Sequence, residues 1–147
     1  MTEKRSRDVA WRLENKRIET DLGYDTPCWI WSGSTTGGGY GQICVETRMR
    51  YVHLVAYEFY VGPIPEKHQV DHLCLVKRCF NPEHLEPVTQ LENIRRSRVR
   101  WAQFARGRCQ RGHNTTDPAN VYVRPGNGYR MCKECQRLRG SKSWRKT

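Results

Sequence analysis

The sequence has no long run of apolar residues, and only 37% of its 147 residues are hydrophobic. The lack of such a run excludes a transmembrane helix, which needs about 20 apolar residues in succession. Residues 1–17 also lack the apolar segment of a signal peptide, so we expect a cytoplasmic protein. With so few apolar residues we do not expect one large core, and small folds of this composition often depend on disulfides or bound metals.

Acidic residues are scarce in the last third of the chain. Residues 1–93 contain 11 Lys and Arg against 13 Asp and Glu, whereas residues 94–147 contain 15 against 2. The net charge of +11 therefore arises from the last third. A basic block of this kind suits a polyanion such as nucleic acid. A simple solvated tail is the other interpretation, but Trp101, Tyr122, Tyr129 and four potential metal ligands interrupt the segment.

The hydrophobic pattern predicts an α+β fold, with short strands alternating with helices. We expect a helix over residues 5–19, whose buried stripe would be Val9, Leu13 and Ile18. A buried strand over residues 28–31 is expected to pair as a hairpin with the alternating segment 40–46. The glycine-rich loop 32–39 lacks the Lys-Ser/Thr that follows a phosphate-binding loop, so we expect only a flexible connection. A buried helix follows over residues 50–62, and we expect its single histidine, His53, to be a core residue.

The second half of the chain predicts two more strands, a basic helix and a hairpin. The strands cover residues 69–70 and 85–88, and Thr89 with Glu92 forms a capping box for the helix that follows. That helix extends from Gln90 to about Ala105 and is stopped by Gly107. Residues 121–131 carry the signal of a further hairpin.

The seven cysteines are interpreted first as metal ligands, because cytoplasmic thiols stay reduced. Cys74, Cys79 and His84 follow one another at intervals of five residues, which predicts a zinc site that needs a fourth ligand. Cys28 and Cys44 are the two candidates. We favour Cys28, which begins a strand after a Pro turn, whereas Cys44 lies inside the alternating strand and resembles a small core residue.

A second set of metal ligands lies in the basic third. Its four residues are Cys109, His113, Cys132 and Cys135. They follow the spacing C-x3-H and then C-x2-C, with a predicted hairpin between the two pairs. This spacing predicts a second structural zinc site. A redox-active C-x2-C pair would require a thioredoxin-like βαβ context, which the sequence does not offer.

One segment carries both metal ligands and candidate catalytic residues, and it reads VDHLCLVKRCFNPEHLEPVTQLEN. Its Asp71-His72 pair, His84 and Asn93 resemble in order the motif of HNH endonucleases of the ββα-metal superfamily. The run from CWIWSG at residue 28 to ENIRR at residue 96 is similar to the small HNH proteins common in bacteriophage genomes. The His-x-Cys-x4-Cys-x4-His-x8-Asn spacing also resembles the His-Cys box homing endonucleases, which bind zinc in this loop.

The resemblance implies a strand, a zinc-stapled loop, a strand and a helix that together carry a nuclease site. In that family His72 would be the general base, and Asp71 with Asn93 would bind a catalytic Mg²⁺ or Mn²⁺ ion. The implied reaction is hydrolysis of duplex DNA to 3′-hydroxyl and 5′-phosphate ends. A catalytically inactive two-zinc DNA-binding protein is the alternative, but the expected residue stands at all three active positions.

The resemblance also suggests an organisation into three segments. These are an N-terminal helical extension (1–27), an HNH nuclease domain (28–106) and a basic zinc-binding module (107–147). Contacts to DNA phosphates are expected from the basic helix, at Arg95, Arg96, Arg98 and Arg100, and from Arg50 or Arg48 near the scissile phosphate. The sequence leaves open homing or packaging of phage DNA, with packaging proteins as partners. It also does not distinguish nicking from double-strand cleavage, or a monomer from a homodimer.

Overall fold

The computed structural model describes residues 8–126, 128 and 130–139. Within these residues the secondary structure is a mixture of helices and four two-stranded antiparallel sheets, which confirms the predicted α+β class. The chain divides into two compact units, the first ending at Thr89 and the second beginning at Gln90. No helix of the described residues has the length and apolar character needed to span a bilayer.

The first unit begins with a short helix and a strand, where the sequence predicted one longer helix. Helix α1 (Val9–Asn15) is capped by the Asp8 side chain, which accepts a hydrogen bond from the amide of Ala10 at 2.8 Å. Strand β1 (Arg17–Thr20) then pairs with β2 (Cys28–Trp31). The prediction of a helix over residues 5–19 was therefore wrong beyond Asn15, and residues 5–7 lie outside the described part. Ile18 and Thr20 are β-branched and favour a strand once β2 is available as a partner.

The next hairpin also differs from the expectation. Strand β3 (Gln42–Val45) pairs with β4 (Arg48–Tyr51) and not with β2, so the predicted pairing was wrong. The chain reverses directly after Val45, with Glu46 in the left-handed region at φ 56°. The nearest strand is therefore β4, which follows directly. Its last two residues, Arg50 and Tyr51, had been predicted as the start of a helix, so that helix begins two residues later than expected.

Cys44 lies on the exposed face of β3 and not in the core, where it was predicted. Ile43 is buried and Cys44 is exposed, because neighbouring side chains of a strand point to opposite faces. The prediction that Cys44 is a core residue was wrong. The two-stranded sheet covers the core with one face only, and Cys44 lies on the other.

Helix α2 (Val52–Tyr60) forms the centre of the first unit, as the apolar pattern predicted. It packs with α1, β2 and β3 around one apolar cluster. The buried members of the cluster are Leu13, Trp31, Ile43, Val52, Val55, Ala56 and Phe80. Phe80 comes from the cysteine loop, which we define as residues 73–84 and which carries Cys74 and Cys79, so the core and this loop are built together.

Two further strands and a connected helix match the predicted order. Strand β5 (His68–His72) pairs antiparallel with β6 (Leu85–Thr89), with His72 opposite Leu85. Helix α3 (Gln90–Ala105) follows β6 without an intervening residue. Both strands and the helix are confirmed, each strand being longer than predicted.

The second unit contains α3, a hairpin and a short helix. Strands β7 (Val121–Val123) and β8 (Arg130–Cys132) form the predicted hairpin, and α4 (Lys133–Arg139) follows directly. Phe104 near the end of α3 packs against the cluster of Cys109, Cys132 and Cys135. The three predicted segment boundaries stay predictions, although this contact joins residues on both sides of the boundary at 106.

Candidate functional site

The first metal cluster brings together Cys28, Cys74, Cys79 and His84, all of them buried. Their candidate ligand atoms lie within 4.8 Å of one another, and the Nδ1 atom of His84 is 3.5 Å from the sulfurs of both Cys28 and Cys79. Three thiols and one imidazole are a donor set that suits tetrahedral zinc. Of the two candidates for the fourth ligand, the structure places Cys28 in the cluster and Cys44 at the surface.

Backbone pairing between distant segments builds this cluster. The amide of Phe80 donates to the carbonyl of Trp29 at 2.9 Å, and the amide of Trp31 donates to the carbonyl of Arg78 at 3.0 Å. These bonds attach the cysteine loop to β2 beside Cys28. Burial raises the pKa of the Cys79 thiol, because a thiolate there is removed from water. A bound cation would offset that effect, so the burial of the cluster fits a metal site.

The His84 imidazole is oriented by residues that the sequence did not single out. Its Nε2 atom lies 2.8 Å from the hydroxyl of Thr26, and the ring of Tyr24 packs edge-on at 4.6 Å. When Nε2–H donates to Thr26, Nδ1 keeps its lone pair and faces the sulfurs, which is the tautomer that a zinc ligand requires. In the same loop the side chain of Asn81 accepts a hydrogen bond from the amide of Glu83 at 3.0 Å, which forms an Asx-type turn.

The second cluster has the same composition and lies within the second unit. The Nδ1 atom of His113 is 3.4 Å from the sulfur of Cys109, 3.6 Å from that of Cys132 and 3.3 Å from that of Cys135. All four candidate ligand atoms lie within 4.8 Å of one another. The four residues that the spacing predicted are thus assembled, and they too could hold a zinc ion.

His72 ends β5 with its imidazole buried and fixed by the first cluster's loop. Its Nε2 atom lies 3.0 Å from the carbonyl oxygen of Cys79. A carbonyl can only accept, so Nε2 carries the proton and Nδ1 is left as the basic nitrogen. Among the described residues Nδ1 has no hydrogen-bond partner. Burial lowers the pKa of His72, which favours this neutral form.

Asp71 precedes His72 and lies opposite Glu86 in the β5–β6 ladder. One oxygen of Asp71 accepts from the amide of His72 at 3.0 Å. The charge of Asp71 also reaches Tyr40, whose pKa is raised first by burial and then by this carboxylate. Asn93, the third predicted active residue, lies in the first turn of α3 within the second unit.

His53 was expected to be an ordinary core histidine, yet its ring lies 4.6 Å from that of His72. It is buried, and Tyr51 stacks on it at 5.6 Å with an interplanar angle of 26°. Its Nδ1 atom is buried without a hydrogen-bond partner. Burial and the nearby His72 lower the pKa of His53 to about 3, so the ring is neutral at physiological pH. No periodicity within α2 or β5 predicts this contact, because it joins two elements that are distant in the sequence.

The arginines predicted to contact DNA lie in different surroundings. Arg50 pairs with Glu58 at 2.8 Å, and Arg96 pairs with Glu92 at 3.2 Å, one turn away on α3. Arg95 and Arg98 are exposed on α3, and Arg100 is half-buried. Both ion pairs are partly exposed, so a phosphate can compete for the arginine at modest cost.

Comparison with known proteins gives the family. The family described as HNH endonuclease matches residues 50–95, which include β5, the cysteine loop, β6 and Asn93. Protein 2.8 of Escherichia phage T7 is 32% identical over 107 residues, which cover 71% of this chain and 69% of that protein. No solved structure matches the chain significantly.

Two shorter matches are also phage proteins. Protein 7.7 of Escherichia phage T7 is 35% identical over 66 residues, or 45% of this chain and 51% of that protein. The uncharacterized gene 5.3 protein of Enterobacteria phage T3 is 38% identical over 42 residues, or 29% of this chain and 42% of that protein. The match over residues 50–95 and the extended similarity to a phage protein agree with the resemblance seen in the sequence. The chain therefore belongs to the HNH endonuclease family, in its phage-type group.

Proposed function

We propose that this protein is a metal-dependent endonuclease that hydrolyses phosphodiester bonds of duplex DNA and leaves 3′-hydroxyl and 5′-phosphate ends. The observation that carries the proposal is the orientation of His72 in a chain of the HNH family. Its Nε2 atom is engaged by the Cys79 carbonyl at 3.0 Å, which leaves Nδ1 to accept a proton. The buried imidazole thus presents a basic nitrogen beside a carboxylate, Asp71, within the segment that matches the family.

His72 would act as general base in this reaction. Its Nδ1 atom takes the proton from the water that attacks the phosphorus, and the imidazole becomes positively charged. The carbonyl of Cys79, which accepts from Nε2–H, stabilises that charge and keeps the ring from rotating. Because Cys79 belongs to the first cluster, the position of the base depends on the integrity of that cluster.

Asp71 and Asn93 would hold the catalytic divalent cation. A carboxylate and an amide oxygen are hard ligands, which suit Mg²⁺ or Mn²⁺ rather than the zinc favoured by the cysteine clusters. When bound, such a cation would stabilise negative charge on the phosphate and on the departing 3′ oxygen. The two clusters would each hold a structural zinc ion, one with Cys28, Cys74, Cys79 and His84, the other with Cys109, His113, Cys132 and Cys135.

The basic residues would supply affinity for duplex DNA. We assign phosphate contacts to Arg50 and to the arginines of α3, which are Arg95, Arg96, Arg98 and Arg100. Such contacts give salt-dependent affinity and carry no sequence information. We propose that the chain is organised as an extension (1–27), a nuclease domain (28–106) and a basic zinc-binding module (107–147).

The phage relatives support a phage setting for this activity. If a phage encodes the chain, the enzyme would act in the cytoplasm of the bacterial host, in homing or in packaging with phage packaging proteins as partners. A monomer has one active site and would nick DNA. A double-strand cut requires a homodimer or two binding events.

A plasmid-nicking assay tests the proposal. The protein is freed of added divalent ions, its zinc content is measured, and supercoiled DNA is incubated with Mg²⁺, with Mn²⁺ or with neither. We expect nicking only with an added ion, and about 10²–10⁴-fold slower nicking by His72→Ala. His68→Ala is the matched control, since His68 lies at the other end of β5, and it should cut normally. DNA binding without cleavage under every condition would show a zinc-dependent binding protein instead.

A further inference from the structure

The glycine-rich loop 32–39 has no role in the function described so far, yet it meets the cysteine loop next to His72. The carbonyl of Gly38 accepts a hydrogen bond from the ammonium of Lys77 at 3.0 Å. The same ammonium lies 5.1 Å from the centre of the Tyr40 ring. The loop and Tyr40 therefore hold one cation of the cysteine loop in a defined place.

Lys77 differs from the cations of the first unit that form ion pairs. Arg17 pairs with Glu14 and Arg50 with Glu58, whereas Lys77 has no carboxylate partner among the described residues. A carbonyl and an aromatic face orient the ammonium without neutralising its charge. One of its three N–H donors is used by Gly38, so it still has donors for an anion.

Aromatic rings connect this cation with the base. The Tyr40 ring lies 6.0 Å from the ring of His72 and 5.6 Å from the ring of Tyr51. Tyr51 is 43% exposed, although one of its faces is stacked on His53. A surface beside His72 thus combines an unneutralised ammonium with an exposed aromatic ring. This combination is typical of sites that follow a nucleic-acid strand.

We propose that Lys77, Tyr40 and Tyr51 form a nucleotide subsite, which binds the DNA strand next to the phosphate attacked by the water that His72 deprotonates. Lys77 pairs with a backbone phosphate, Tyr40 fixes Lys77, and the exposed part of the Tyr51 ring stacks on the adjoining deoxynucleoside. Lys77 is already oriented in the free protein, so little side-chain entropy is lost on binding. This subsite rests on the proposed action on DNA, and it adds contacts that the arginines of α3 do not supply.

The phosphate contact is tested by a salt titration of DNA binding. The full chain carries His72→Ala, so that the DNA stays intact, and the Kd for a short duplex is measured from low to high salt. Adding Lys77→Ala should make the negative slope of log K against log salt shallower by about 0.9, the value for one lost phosphate contact. Lys77→Arg should keep the slope. Lys67→Ala is the matched control. It also removes one lysine charge, but Lys67 directly precedes β5 at the end of the strand opposite His72, so the slope should not change.

The stacking contact is tested in the same background at one salt concentration. Tyr51→Leu keeps apolar cover over His53 but removes the ring, and it should raise the Kd roughly 5- to 150-fold. Tyr51→Phe should bind like the His72→Ala parent. Zinc content and thermal unfolding of each variant show that the fold is retained.

Two results would overturn the subsite. One is a Lys77→Ala slope equal to that of Lys67→Ala, and the other is a Tyr51→Leu variant that binds like its parent. The assay measures binding alone, so it separates the subsite from the proposed catalysis. A Lys77-dependent slope in a chain whose wild type never cuts DNA would refute the endonuclease and leave the subsite standing.

Discussion

The imidazole rings of His53 and His72 lie 4.6 Å apart, centroid to centroid, with an interplanar angle of 58°. One ring is the proposed base, anchored through Nε2, and the other is a buried neutral ring with no hydrogen bond at Nδ1. The His53 ring packs against that of His72 and so restricts its rotation. We therefore expect His53 to act as a positioning residue for the proposed base.

The first prediction concerns the cleavage rate of His53 variants. His53→Ala removes the ring that packs on His72, and we expect DNA cleavage to slow by up to about 10²-fold, as misplaced catalytic groups do. His53→Phe keeps a ring of similar size and should retain most of the rate. Single-turnover cleavage at saturating DNA measures the effect, and zinc content controls for folding. Equal rates for His53→Ala and the wild type would show that the contact plays no part in placing His72.

Acid stability provides a second test of the same residue. The pKa of His53 is about 3 in the folded protein and about 6.5 in an unfolded chain, so the unfolded state binds more protons between these values. The free energy of unfolding should therefore decrease as pH falls from 6.5 towards 3, by about 1.4 kcal/mol per pH unit from this group. His53→Phe removes that dependence, and its stability should fall less steeply than that of the wild type. Denaturant unfolding at several pH values compares the two chains, and identical slopes would contradict the burial of a neutral His53.

The identity of the fourth ligand of the first cluster can be tested by two serine substitutions. Cys28→Ser should reduce bound zinc from two ions per chain to one, and should lower the unfolding midpoint of the first unit by roughly 10 °C or more. Cys44→Ser changes an exposed thiol and should keep both ions and the midpoint. Elemental analysis and thermal unfolding measure both quantities. Loss of zinc from Cys44→Ser alone would reverse the assignment.

Thr26 should affect the zinc affinity of the first cluster, because its hydroxyl selects the tautomer of His84. Thr26→Val removes the hydroxyl that lies 2.8 Å from Nε2 of His84 and keeps the volume of the side chain. We expect the affinity of the first cluster for zinc to fall by about 10- to 100-fold. Thr26→Ser restores a hydroxyl and should bind zinc like the wild type. Competition with a coloured chelator measures the affinity, and a second cluster with unchanged affinity serves as an internal reference.

The second cluster should contribute to DNA binding but not to the chemistry. Cys132→Ser should remove one zinc ion, weaken binding to duplex DNA and reduce its dependence on salt, because the basic residues around the cluster lose their order. Substitution is preferable to truncation here, since Phe104 of α3 packs on this cluster. Cleavage at low salt should persist, because Asp71, His72 and Asn93 all precede the second cluster in the chain. Complete loss of cleavage in a folded Cys132→Ser protein would show that the module helps to build the active site.

Local patterns in the sequence predicted the elements that local interactions stabilise. The helix from Gln90 to Ala105, the strands on either side of the cysteine loop and the hairpin before Cys132 were all found. Each has a periodicity or a turn signal within its own residues. Strand β1 and the pairing of β3 with β4 were missed, because nothing within residues 17–20 or 42–45 identifies the strand with which each of them pairs.

The sequence by itself determined which residues can bind metal and which resemble an HNH motif, because ligand type and spacing are local properties of the chain. Only the tertiary structure decided that Cys28 joins the first cluster, since backbone bonds between β2 and the cysteine loop bring together residues distant in sequence. It also decided that His53 packs against His72 and that Tyr40 holds Lys77. These contacts depend on how helices, strands and loops pack, and no periodicity within any one of them encodes that packing.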